Sequence, residues 1–204
     1  MVDFFIKGGP VMYPLLICSI LSLAIILERT LFWIRLTRNR DEARVSQILE
    51  LAEKEDYESA WELGRRSGDY IIRMLVGGIA HRRYSLPSAL EMGAEEEVKK
   101  MGKHLNILDT IITVAPLLGI FGTVVGIINS FDVLGRAGIE HPQIVTGGIA
   151  QALITTATGL GVAMMTLLPY NYFQSRIESA SKELEKFATS LEITFQRQNA
   201  KFQQ

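Results

Sequence analysis

The sequence predicts an all-α membrane protein with three transmembrane helices, the second and third long and extended into a cytoplasmic helical bundle. Two observations carry this. Three windows carry no acidic or basic side chain: Gly8 to Leu27, Thr110 to Phe131 and Pro142 to Ser175. A helix rises ~1.5 Å per residue and a bilayer core is ~30 Å thick, so each window is long enough to cross it. The basic residues are also sharply segregated. Of 21, fourteen lie between Arg29 and Lys103 and five after Tyr172, leaving Lys7 before the first window and Arg136 between the second and third. Lys and Arg favour the cytoplasmic side, so the N-terminus is expected outside, with the long loop and the C-terminus inside.

Gly8-Gly9-Pro10 opens the first helix, and Trp33 is an interfacial anchor beyond its apolar stretch. The Arg29, Arg35, Arg38, Arg40 and Arg44 series fixes its inner end. This window is longer than the apolar region of a signal peptide. It also runs into Glu28-Arg29 with no small-residue cleavage site, so it reads as a retained span. From about Arg40 to Leu108 the chain is charged, with apolar stripes at helical spacing. Val45, Ile48, Leu49 and Ala52 form one stripe, and Ile71, Met74, Leu75 and Ile79 another. Ser67-Gly68-Asp69 and Ser85-Leu86-Pro87 predict breaks between short helices, and Pro87 to Leu108 reads as a polar helix entering the second span. After Tyr172 the spacing of Ile177, Ala180, Leu184, Phe187, Leu191 and Phe195 predicts that the third span continues as one long helix.

The second and third spans differ in kind from the Leu- and Ile-rich first. Gly119, Thr123, Gly126 and Ser130 share one face of the second, which also holds Pro116 and Gly122. Gly148, Ala152, Thr155, Gly159 and Ala163 share a face of the third, with Gln151 and Thr158 beside it and Thr156 overlapping it. Small residues permit close backbone approach in lipid, so helix packing accounts for most of these positions. Thr123 and Thr156 each lie about 18–20 Å into their helices, near the bilayer midplane. A lone Thr bonds the carbonyl one turn back. Two at matched depth, with Gln151, Thr155 and Thr158, also fit a polar-lined path. No Asp, Glu, Lys, Arg or His lies mid-span. An ion pathway needs an ionisable group in the membrane, so a conducting protein would take its carrier carboxylate from another chain.

Other chemistry finds little support. Cys18 is the single cysteine, which excludes an intramolecular disulfide. His81, His104 and His141 show no metal-ligand spacing, and His141 beside Glu140 reads as a loop residue. No nucleotide loop ending in Gly-Lys-Ser/Thr occurs, nor any basic run interleaved with aromatics that would indicate nucleic acid. Neither an enzyme nor a cofactor is expected.

The segment Ala115-Pro116-Leu117-Leu118-Gly119-Ile120-Phe121-Gly122-Thr123-Val124-Val125-Gly126 resembles the hallmark of the MotA/TolQ/ExbB proton-channel family. The segment Gly148-Ile149-Ala150-Gln151-Ala152-Leu153-Ile154-Thr155-Thr156-Ala157-Thr158-Gly159-Leu160 is similar to its partner motif. Three spans and Glu28-Arg29 closing the first match the ExbB/TolQ branch. The resemblance implies a bacterial inner-membrane motor: a pentamer of this chain enclosing two single-span partners of the ExbD/TolR type, with force passed to a TonB- or TolA-like protein. The partner's intramembrane Asp would carry the ion, a proton or alternatively sodium. Thr123 and Thr156 would be the family's pore-lining hydroxyls. Pro116, Gly119, Gly122, Gly126 and Gly159 would shape and pack the helices. Gln151 stands where the branch commonly has a glutamate; an amide hydrogen-bonds but does not titrate. The expected division is a periplasmic N-terminus and first span over 1–34 and a cytoplasmic helical domain over 35–107. The second span follows over 108–134, a short periplasmic loop over 135–143, the third span over 144–173 and a cytoplasmic helix over 174–204. The competing expectation is a non-conducting membrane scaffold whose small-residue stripes serve assembly alone.

Overall fold

A computed structural model of the chain describes residue 5 and residues 7–137 and 142–202, with helices throughout and no strand among the described residues. In chain order the helices are α1 (Met12–Arg38), α2 (Glu42–Glu53), α3 (Tyr57–Gly64), α4 (Tyr70–Met101), α5 (Leu105–Ala137) and α6 (Pro142–Phe202). Three stretches are long and apolar enough to cross a membrane: Met12–Arg38, Leu105–Gly135 and Thr146–Gln198. The expected loop over 135–143 includes residues 138–141, among them Glu140 and His141, which lie outside the described residues.

The chain forms two compact units. One comprises Met1–Glu28 and His104–Tyr172, the other Arg29–Lys103 and Phe173–Gln204. In the first, the opening turn of α1 packs on α5 and α6 through Val11, Met12 and Leu15, against Ile111, Ala115 and Ala163. Outward-facing side chains there are large and apolar, such as Leu23, Phe121, Leu153 and Leu168. That pattern suits lipid rather than water as the surrounding solvent.

The second unit has a water-soluble construction. Short helices start at aspartates that accept a backbone N–H of the first turn: Asp41 from Arg44, Asp56 from Ser59 and Asp69 from Ile71. Of the expected stripes Val45, Ile48, Leu49 and Ala52, and Ile71, Met74, Leu75 and Ile79, all are buried but Leu49, which is half-buried. The last helix contributes Ala180, Leu184 and Leu191 to buried positions, and α6 runs unbroken from Pro142 to Phe202 as its periodicity predicted.

Helix α4 is in fact two helices, because Ser85 has extended backbone angles (φ −163°, ψ 103°). Ser85 Oγ accepts from the Ser88 N–H, and Pro87 sits in the first turn of the second half, where its missing N–H costs nothing. The halves fold back on each other. A Cβ at Gly93 would lie 3.5 Å from Met74 Cα, and Arg73 binds Glu97.

Two features differ from the sequence expectation. The polar helix expected to enter the second span stops at Met101. Gly102 caps it by donating to Val98 O, His104 takes a left-handed φ of 67°, and α5 begins afresh at Leu105. A further break at Lys54 to Asp56 turns on Glu55 at φ 64°, a position without the glycine or proline that usually marks such a turn.

A hydroxyl pair at the crossing of the second and third spans

α5 and α6 run antiparallel through the first unit, and the two small-residue stripes face each other. A Cβ added at Gly126 would lie 3.0 Å from both Ala152 Cβ and Gly148 O. At Gly122 it would lie 2.8 Å from Thr155 Cβ, at Gly119 3.1 Å from Thr156 Cα, and at Gly159 2.5 Å from Ala115 O. All four approaches meet backbone or Cβ atoms that no rotamer change can move away. The glycines are therefore a geometric requirement of the crossing. Ser130, buried and donating to Gly126 O, abuts Gly148 and ends the seam. Pro116 lies within α5, where it lacks the N–H that would reach back one turn.

Within this seam the Thr123 and Thr156 hydroxyls are hydrogen-bonded to each other across the two helices. Thr156 Oγ1 also lies 3.0 Å from Gly119 O. Thr123 Oγ1 lies 3.2 Å from Gly119 O and 3.3 Å from Ala152 O. Each hydroxyl has one proton and two lone pairs. The pair's two protons are thus fully used by its internal acceptors, while lone-pair capacity remains. Both residues are only partly buried, so the pair can be reached from outside the crossing.

The other polar residues of the motif divide differently. Thr155 is fully buried beneath Gly122, with its hydroxyl 2.9 Å from Gln151 O and 3.0 Å from Ala152 O. It belongs to the packing seam. Thr158 donates to Ile154 O at 2.8 Å, one turn back on its own helix. The Gln151 amide lies against Gly9, whose φ of +76° turns the chain into α1. A Cβ at Gly9 would collide with that amide, so Gln151 supports the turn that opens the first span. The sequence carried no sign of this pairing, since 142 positions separate the two residues.

No group of three or more His, Cys, Asp and Glu side chains suited to a metal occurs among the described residues. Between Asp109 and Asp132, and through Pro142 to Ser175, there is no ionisable Asp, Glu, Lys, Arg or His.

Three apolar helices, two of them locked by small residues around a hydroxyl pair, define a multi-pass membrane protein whose second and third spans form one unit. The chain belongs to the MotA/TolQ/ExbB proton channel family, whose pattern matches residues 70–186. It is 38% identical to the ExbB-like 1 protein of a Synechocystis strain, over 92% of this chain and 75% of that one. It is 32% identical to ExbB-like 3 of the same strain, over 93% and 92% of the respective chains. With the Tol-Pal system protein TolQ of Haemophilus influenzae it shares 32% identity over 54% of this chain and 48% of TolQ. These relatives support the ExbB/TolQ branch, and with it a proton channel subunit of an energy-transducing transport system.

Proposed function

We propose that this chain is the ion-conducting stator subunit of an inner-membrane motor that uses the proton motive force to drive transport or envelope work. In this reading the N-terminus is periplasmic and the C-terminus cytoplasmic. Five copies surround two single-span partners of the ExbD/TolR type, and a TonB- or TolA-like protein takes up the force. The partner's intramembrane aspartate carries the proton.

The observation that carries the reading is the Thr123–Thr156 pair held on the Gly119 carbonyl. A protonated carboxylic acid could donate to a hydroxyl lone pair of this node without disturbing it. An ionised carboxylate accepts only, so at least one hydroxyl must turn away from its internal acceptor to meet it. The node therefore offers different bonds to the two protonation states, as a site that loads and unloads a proton requires. The other polar residues assigned to the path, Thr155, Thr158 and Gln151, have internal roles at this node's edge and stand as secondary members.

The scaffold reading has its own support, because every hydroxyl at the crossing is satisfied internally. The two readings separate in proteoliposomes containing the chain with its single-span partner. Thr156→Val keeps the shape and removes the hydroxyl. A conductor loses about tenfold or more of its proton flux while native mass still reports five copies and two partners, and Thr156→Ser restores flux. Undiminished flux in Thr156→Val, or no flux in the wild type, would favour the scaffold. Flux that demands sodium in the buffer would change the ion.

A further inference from the structure

Near its start, α5 carries a carboxylate that neither the helix crossing nor the hydroxyl pair uses. Asp109 is exposed, and its side chain has no hydrogen-bond or ion-pair partner among the described residues; only its backbone carbonyl accepts, from Thr113. Its depth follows from α1 in the same unit. The charge-free stretch of α1 ends at Glu28, whose Oε2 lies 3.6 Å from Nδ1 of His104, the residue before α5. That contact marks the level of the charged groups. Asp109 lies about 7 Å deeper along α5, and Thr113 about 13 Å deeper. α1 and α6 bring Glu28 and no other charged group to this end of the unit, since α6 carries none before Arg176.

Asn106, Asp109 and Thr113 are all exposed and fall within about 60° of one another around the helix. Further along the same face the exposed residues are Leu117, Ile120 and Val124. One exposed strip of α5 thus changes from polar to apolar between Thr113 and Leu117. Acyl chains suit the second part and not the first. An ionised carboxylate facing lipid is costly, and such groups face the bundle interior or a water-filled cavity. The hydroxyl pair stands at the edge of this strip. Thr123 lies about 21 Å along the helix from Asp109 and within about 40° of it. Between them, Pro116 has no N–H for Ile112 O, which leaves that carbonyl without its usual helical donor.

We propose that Asp109 is the acceptor through which the proton reaches the cytoplasm, in a water-filled vestibule lined by Asn106, Thr113 and the Ile112 carbonyl. The inference rests on the conducting reading above and adds an exit to it. A proton released by the partner's carboxylic acid at the Thr123–Thr156 pair passes along water to the Asp109 carboxylate. That group becomes a neutral acid, hands the proton to cytoplasmic water and is a carboxylate again, so nothing is consumed. Glu28 is engaged by His104, which leaves Asp109 as the acid at this end of the unit that is free to load.

Two measurements test this, both on the full chain with its single-span partner. In proteoliposomes, Asp109→Asn should lower proton flux about tenfold or more with native mass unchanged, and Asp109→Glu should restore it. The second measurement needs no flux. A Cys18→Ala background leaves no other cysteine in the chain, and Asn106→Cys, Thr113→Cys or Leu117→Cys is then treated in inside-out vesicles with a charged, membrane-impermeant thiosulfonate. Thr113→Cys should be modified within about tenfold of the rate of Asn106→Cys, and Leu117→Cys far more slowly, because the reagent needs a thiolate in water. Modification of Asn106→Cys alone overturns the vestibule. A conducting wild type matched by Asp109→Asn overturns the exit and leaves the motor standing, whereas a wild type that passes no protons overturns both.

Discussion

The two units hold their helices together by opposite chemistry. At the α5–α6 crossing of the first unit the contact surface is glycine, alanine and serine, and the polar bonds are threonine hydroxyls on backbone carbonyls. In the second it is Leu, Ile and Met, and the polar bonds join full charges, as in Arg73–Glu97 and Arg40–Asp69. The difference follows from the solvent each sequence is suited to. Lipid rewards no transfer of a leucine from outside to inside, so close backbone approach carries the association. Water does reward it, at ~25 cal/mol per Å², and polar groups buried alongside must then be paired.

The largest effect should come from attacking the close approach. Gly159→Leu must push its side chain into Ala115 O and the Gly119 backbone, neither of which can rotate away. It should cost about 3 kcal/mol or more and lose the native assembly in detergent. Gly161, two residues along, has open space where its Cβ would go. Gly161→Ala should fold normally in the same assay, its helical stability equal or raised by up to ~1 kcal/mol. Similar losses for both would mean that glycine content, rather than this seam, governs the crossing.

The contrast also explains what could be read from one sequence. In the first unit the stripes at Gly119, Thr123 and Gly126 and at Ala152, Thr155 and Gly159 were visible because a tight antiparallel crossing repeats a local spacing. Which polar residues point into the seam was less legible. Thr155 and Thr156 are neighbours about 100° apart on a helix, and only the partner helix decides which is buried and which shares the node. In the second unit the apolar stripes and the Ser85 break were legible for the same local reason. The ion pairs were not, since Arg73 meets Glu97 only because the chain reverses between them. Glu55 gave no sign either, because a left-handed turn without glycine is set by the helices on its flanks.

A weaker probe of the second unit uses its charges. Glu97 has a side chain only 5% exposed. Burial alone would raise its pKa, but hydrogen bonds from Arg73 and Lys100 outweigh this and hold the carboxyl below its ordinary value. A depressed carboxylate contributes stability above its unfolded pKa and loses it as pH falls through the folded one. Glu97→Gln should therefore lower the thermal midpoint at neutral pH, by a loss of about 1.5–3 kcal/mol, and match wild type increasingly below pH ~4. A pH-independent difference would show that shape, not charge, holds the α4 hairpin closed.

The smallest expected effect concerns a neutral bond in the same unit. Near the end of α6, Gln198 Nε2 donates to Ala52 O at 2.7 Å, which also accepts the Glu55 N–H, and to Glu53 O at 3.2 Å. The Tyr57 hydroxyl binds the oxygen of the same amide, so one side chain joins α2, α3 and α6. Tyr57→Phe removes only the outer bond and leaves the ring against Phe195. The amide oxygen it releases lies in a part-buried position where water can replace the hydroxyl, so the loss should be about 0.5–1.5 kcal/mol in chemical unfolding. Gln198→Ala should cost more, because it removes the bonds to both carbonyls as well as the one to Tyr57. If the ranking reversed, the hydroxyl rather than the amide would be the group that anchors α6 to the short helices. The rule drawn for this unit, that buried polar groups are held by the partner they would otherwise leave unpaired, would then fail at its most accessible point.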